Sequence, residues 1–231
     1  MTKKKLYRGI LVLLAAGALS AAASAAQQGT EPTNLTADSL TYDTRTGLIT
    51  AETNVRMEQG TGWVTGARAT YNTKTEEGTV EGGVHAVRDD MNLSCDRLSG
   101  VGQDHWQASG SVSMTKADRT FTGPQVDYYP SQNDYILAAS GGTITSTDGT
   151  LTADRLEGWM KENRFVGTGS AHIVSPPRDL EGGGDRMEYF GSAEKPYVVL
   201  DGNAWVFQGN NMARSNHMTV YLSDDGSAVT E

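Results

Sequence analysis

The octet LTADSLTY, starting at Leu35, returns along this chain about every 29 residues. It reappears as VTGARATY at Val64, LSCDRLSG at Leu93, FTGPQVDY at Phe121 and LTADRLEG at Leu151. Shorter copies follow, GGDRMEY at Gly183 and SNHMTVY at Ser215. A second piece alternates with the first: ITAETNVRM at Ile49, TVEGGVHAV at Thr79, WQASGSVSM at Trp106, LAASGGTIT at Leu137, FVGTGSAHI at Phe165 and VLDGNAWVF at Val199. Self-similarity at one period marks a stack of like units, each too small to bury its own apolar face.

The unit is built from strands. Ile49, Ala51, Thr53, Val55 and Met57 fall on one face of an extended chain, and Thr50, Glu52, Asn54, Arg56 and Glu58 on the other. Polar connections at 43–47, 72–78, 130–134 and 161–163 suit hairpins. Seven such units predict roughly thirteen or fourteen strands over 35–222, with loose segments at 27–34 and 223–231. In the first piece the parity switches: Leu35 and Ala37 share a face, yet Leu40 and Tyr42 have the opposite parity. The same switch separates Leu93 and Cys95 from Leu98, and Leu151 and Ala153 from Leu156. One extra residue near each switch would restore a common face, which predicts bulges at Ala37–Asp38, Cys95–Asp96 and Ala153–Asp154. The glycine recurring in the second piece reads as a bend built into a curved sheet.

The first 26 residues stand apart. Lys3, Lys4, Lys5 and Arg8 precede an apolar stretch from Ile10 to Ala16, and Ala23-Ser24-Ala25 offers a small-x-small cleavage site. This is the pattern of a secretory signal peptide, with an uncleaved membrane anchor as the alternative. Cleavage would take four basic side chains and no acidic ones, moving the formal charge from −9 to about −13. So acidic a chain is not built to neutralise nucleic-acid phosphates. Cys95 is the only cysteine, so no internal disulfide can form, and it should be a small buried apolar residue.

The pairing of A-D-x-L-x-Y with a small-Gly-[Asn/Ser]-apolar piece, repeated behind a leader, resembles the OstA-like family of lipopolysaccharide transport proteins, and most of all its periplasmic bridge members. The resemblance covers residues 35–222, with its closest matches at Thr36–Tyr42, Asn54-Val55, Leu151–Leu156 and Gly202-Asn203-Ala204. It implies an all-β fold: a slightly twisted, open antiparallel β-jellyroll with a V-shaped apolar groove. It further implies a groove that shelters lipopolysaccharide acyl chains, docking to other jellyroll components of the transport machinery, and head-to-tail self-association bridging the two membranes. The location implied is the periplasm, or the inner membrane facing the periplasm if the leader is retained.

Parity supplies the groove candidates: Ile49, Val55, Met57, Val80, Val84, Trp106, Val112, Met114, Leu137, Phe165, Ile173, Val198, Leu200 and Val206. Beyond the bulges they are joined by Leu40, Tyr42, Leu98, Tyr128, Leu156, Met187 and Tyr189. The alternative is a closed core in which these residues touch only one another, as in a structural or adhesive β-solenoid surface protein. A polysaccharide-active β-helix would instead need two carboxylates in one cleft. The four histidines, His85, His105, His172 and His217, lie in different repeats and form no metal-ligand spacing, and no nucleophile elbow or nucleotide-binding motif occurs. Asp38, Asp96, Asp154 and Asp185 recur at one repeat position, which points to a structural role at the bend. No catalytic residue, metal or cofactor is expected.

Overall fold

A computed structural model describes residues 33–102, 104–222 and 228–230. The expected leader at 1–26 lies outside the described residues. The chain divides into two compact units, residues 1–110 and 111–231.

In the first unit, β1 (Thr33–Thr36) and β2 (Ser39–Asp43) both pair along β3 (Leu48–Gln59). They act as one ribbon broken at Ala37-Asp38. From there the sheet meanders through β4 (Gly62–Asn72), β5 (Glu77–Arg88) and β6 (Met91–Val101), each antiparallel to its predecessor. The division between units falls at Gly110, within β7 (His105–Lys116).

The second unit repeats the scheme. Along β8 (Arg119–Tyr129) lie β9 (Tyr135–Ala138) and β10 (Gly142–Ser146), again one broken ribbon. These pair with β12 (Arg155–Trp159) and β11 (Gly149–Ala153), which in turn pair with β13 (Arg164–Ser175). Then follow β14 (Leu180–Phe190), β15 (Tyr197–Gln208), β16 (Asn211–Leu222) and the short β17 (Ala228–Thr230). With the broken strands counted as single ribbons, the described residues hold thirteen ribbons of eleven or twelve residues plus β17. That is the strand number expected from the repeats. β1 begins inside the segment expected to be loose, and β17 lies inside the expected tail.

The bend of each ribbon has a specific backbone cause. Thr53-Asn54, Gly82-Gly83, Gly110-Ser111, Gly169-Ser170 and Gly202-Asn203 are consecutive pairs with positive φ, between 47° and 85°. Around four of these pairs the strand register shifts, two residues of one strand standing against one of its neighbour. The surplus residue is therefore in the second piece of each repeat, whereas the parity switch predicted it at the Ala-Asp position. The bend itself is where it was expected: the ribbons break at Ala37-Asp38 and Asp154, and within β6 both Asp96 and Arg97 face out between inward Cys95 and Leu98. A bulge is a mismatch between two strands, so the parity of one strand reveals the bend but not which partner carries the extra residue.

The recurring aspartates face these pairs. Asn54 Nδ2 donates to Asp38 Oδ2 (2.9 Å), Asn203 Nδ2 to Asp185 Oδ2 (3.0 Å) and Ser170 Oγ to Asp154 Oδ2 (3.3 Å). The backbone N–H groups of Asp38 and Asp154 donate to Thr53 O (3.0 Å) and Gly169 O (2.9 Å). A left-handed residue other than glycine costs on the order of 1–2 kcal/mol, and these bonds offset part of that at Thr53, Asn54, Ser170 and Asn203. Where Ala67 takes the aspartate's place, the facing pair is Gly82-Gly83, and the Ala67 Cβ lies 2.6 Å from where a Gly82 Cβ would stand. Side-chain bonding and absence of a side chain are two solutions to one backbone demand.

Bending turns both halves of each ribbon inward. In the first unit one inward row runs Leu35–Met57–Val64–Ala86–Leu93 across paired strands, and the other runs Leu40–Ala51–Ala69–Val80–Leu98. In the second unit the rows are Phe121–Ile144–Leu151–Ile173–Gly182–Val206 and Tyr128–Ile136–Gly158–Phe165–Tyr189–Val198. The two rows of this unit meet: the Phe121 and Phe165 rings lie 6.1 Å apart. Cys95 is buried as expected, and burial pushes its thiol up to about 11.

One inward assignment is wrong. Leu137 is half-buried on the outer face, between Asp127 and Glu157 on the flanking strands, while Ile136 and Ala138 are buried. Aligning LAASGGTIT with the other second pieces was one residue out of register, and a one-residue slip exchanges the faces of a strand.

Two substitutions test this arrangement. Ile136→Ala should cost about 2–5 kcal/mol in urea unfolding, and Leu137→Asn under about 1 kcal/mol; equal costs would contradict the assigned faces. Gly82→Ala should cost about 2 kcal/mol through its left-handed φ and the Ala67 contact, with partial recovery when combined with Ala67→Gly.

Candidate functional site

Most of the predicted inward residues are packed against one another. In the first unit Ile49, Val55, Met57, Val80, Val84, Leu98 and Trp106 are buried, and so in the second are Val112, Met114, Tyr128, Leu156, Phe165, Met187, Val198, Leu200 and Val206. Leu40 and Tyr42 lie on the inward rows as expected, yet they are 44% and 46% exposed. The reason is their place on the first ribbon, where the described strands supply only one neighbour, β3. The interior is thus fuller than the mixture of methionine, aromatic and small residues suggested.

The exception lies in the second unit. A pocket of about 560 Å³, part of it open to solvent, sits between the two inward rows. Its apolar lining is Ile144, Leu151, Phe165, Ile173, Tyr189 and Leu222. Inward of the shared Ile144 the apolar side chains of Phe121, Val126, Ile136 and Leu156 pack closely and leave no room for a water molecule. Much of the pocket's volume is open to solvent, and the space enclosed within it is far smaller. Of the residues predicted from parity, Phe165, Ile173 and Tyr189 line it.

The polar lining went unpredicted. Arg119 opens β8 directly after a tight turn at Ala117-Asp118, and its guanidinium carbon lies 4.8 Å from the centre of the Phe165 ring. The Tyr189 phenol in the same lining is held above its ordinary range chiefly by burial, an effect the Arg119 charge partly offsets. Arg178 closes the single turn Pro176–Arg178, after which Asp179 takes a left-handed conformation. Its Nη1 donates to Ser175 Oγ (3.3 Å) and lies 3.5 Å from Asp148 Oδ1, while Ser175 Oγ donates to the Asp148 carbonyl (2.7 Å). The signal for Arg119 was present in the sequence, because it shares the parity of inward Phe121 two residues on. Arg178 follows two prolines and had no strand parity to read.

Among the described residues Asp148 is the only carboxylate lining the pocket, so a second acid for two-carboxylate hydrolysis is not among them. The buried acids elsewhere are engaged: Asp134 accepts from the Tyr128 hydroxyl (2.6 Å), and Glu188 accepts from Arg164 Nε (2.7 Å). Among the described residues no group of three or more His, Cys, Asp or Glu side chains could hold a metal ion, and no helix is long and apolar enough to cross a membrane.

A family model described as LptA/(LptD N-terminal domain) LPS transport protein matches residues 64–225. A second, described as lipopolysaccharide-assembly, LptC-related, matches residues 21–89. No curated protein matches the chain. Among solved structures it is similar to LptH from Pseudomonas aeruginosa, described as the LptA homologous periplasmic component of the lipopolysaccharide transport device. The two share 18% identity over 46% of this chain and 80% of that one, with a TM-score of 0.42. The first family match takes in well over half of the sequence, and the chain belongs to the LptA/LptD N-terminal domain family of LPS transport proteins.

Proposed function

We propose that this protein binds lipopolysaccharide by its acyl chains and hands it on across the periplasm without chemical change. The observation that carries this reading is the second unit's pocket, apolar over most of its lining and built from the inward rows of bent strands in a chain of this family. Each methylene moved from water into such a lining gains about 0.8 kcal/mol, so a few acyl chains suffice for firm binding while the sugar stays in solvent. Since the inward rows are otherwise closely packed, a long chain must part them, and the pocket is where that parting requires least displacement. The energy for direction comes from other components.

End-to-end assembly completes the proposal. Among the described residues the first ribbon ends the first unit's sheet, and its inward-row residues Leu40 and Tyr42 stand exposed with no further described strand beside them. An added strand would extend the backbone ladder and continue both rows, which is β-augmentation. A second copy or another jellyroll component of the transport machinery would supply it. Residues 1–26 act here as an export signal; if retained, they would tether the same domain to the inner membrane.

A photo-reactive phenylalanine analogue tests the lipid site. Placed at Phe165 it should capture lipopolysaccharide, and at outward Leu137 it should not; equal capture at the two would mean nonspecific contact and sink the groove. For assembly, Leu40→Asp with Tyr42→Asp should shift sedimentation toward monomer, and an unchanged oligomer distribution would place the contact elsewhere.

A further inference from the structure

The pocket described above holds a pair of cations that acyl-chain binding alone does not require. Arg119 and Arg178 both line it, and each side chain is only 14% exposed. Their acidic partners do not neutralise them from within. Asp118 lies 3.5 Å from Arg119 Nε and Asp148 3.5 Å from Arg178 Nη1, and both acids are 54% exposed. Contacts so long to half-solvated carboxylates are weak. The Nε of Arg178 is buried with no hydrogen-bond partner among the described residues. A guanidinium has five donors and no acceptor, and a buried donor left unpaired is costly. The group that would satisfy these donors is an anion rich in oxygens.

We infer that Arg119 and Arg178 form a phosphate-binding subsite inside the pocket, taking a phosphate group of a lipid whose acyl chains lie on Ile144, Leu151, Phe165 and Leu222. The inference rests on the lipid-binding reading and adds a headgroup to it. Phosphate suits the donors better than carboxylate: it offers more oxygens, and it is matched by the planar fork of arginine. The hydroxyl of Tyr189, its phenol held above the ordinary range chiefly by burial, lines the same pocket as a further donor. Charge supports the same assignment. The chain carries a formal −9, so an anionic lipid is repelled by the molecule as a whole and needs a local cationic pair to be held.

The experiment titrates the full-length exported protein with lipid A bearing both phosphates, with fully dephosphorylated lipid A, and with inorganic phosphate alone. Wild-type protein should prefer the phosphorylated lipid. Arg119→Gln and Arg178→Gln should each weaken its binding about tenfold or more, as loss of a charged hydrogen bond does, and leave the dephosphorylated lipid unaffected. Arg178→Lys should fall between. If wild-type protein binds both lipids equally, the subsite is overturned while lipid binding stands, and this comparison needs no variant to fold. If neither lipid binds, the lipid-binding reading and the subsite fall together. Binding of inorganic phosphate that depends on both arginines, with no preference between the lipids, would assign the pair to free phosphate and overturn the lipid source.

Discussion

The pair of left-handed residues in the middle of the ribbons is the constraint on which the rest depends. A straight strand of eleven or twelve residues buries alternate side chains against something on one side only. With two consecutive positive-φ residues at its centre, as at Gly169-Ser170 or Gly202-Asn203, the strand turns and both its halves look inward. The inward rows then come to face one another within each unit, and the sheet supplies its own cover. Without the bend these rows would be an exposed apolar face of a kind that monomeric proteins avoid. Small residues at the bend, the aspartate opposite and the buried rows on both sides are consequences of one backbone conformation.

That conformation is sustained chemically in two ways. Asparagine or serine in the left-handed pair donates to the aspartate on the neighbouring ribbon, and the aspartate's own N–H can return a bond to the bulge carbonyl. At Gly82-Gly83 no side chain is there to donate, and Ala67 stands where the other repeats place the aspartate, its methyl in the space that a side chain would need. The first repeat makes the demand plainest. Thr53, a β-branched residue, is held at a φ of 62° beside Asn54, with Asp38 bonding to both. The recurring acids of this chain are therefore part of its bending device, and their repetition carries no hint of catalysis.

A bent ribbon whose rows pack closely makes a good core and a poor container. The second unit departs from that at one place, where Arg119 and Arg178 stand at the lining and the apolar rows separate enough to leave a pocket. Two nearly buried guanidiniums stand at this lining. It has an apolar floor and a cationic side, which is the arrangement an anionic amphiphile fits. The aromatic and cationic contacts across the outer face, from Tyr129 through Tyr135 and Trp159 to Arg164 and Phe190, clamp the same ribbons from behind.

Much of this was legible in the residues alone. Alternation in ITAETNVRM, the parity switch between Ala37 and Leu40, and the polar connections determined the strands, their hairpins and the positions of the bends, because each depends on a single stretch of chain. Burial of Val55, Val84 and Met187 followed from the same parity. What needed the tertiary structure was every property shared between strands. Which partner carries the surplus residue at a bulge is a matter of register. The face of Leu137 turned on a one-residue alignment that an atypical break at 139–141 disguised. Leu40 and Tyr42 are exposed because only β3 lies beside them among the described strands, and Arg119 and Arg178 line one pocket because folding brings two distant turns to it. Periodicity records how a strand divides its side chains between two faces; only the packed fold decides what each face meets.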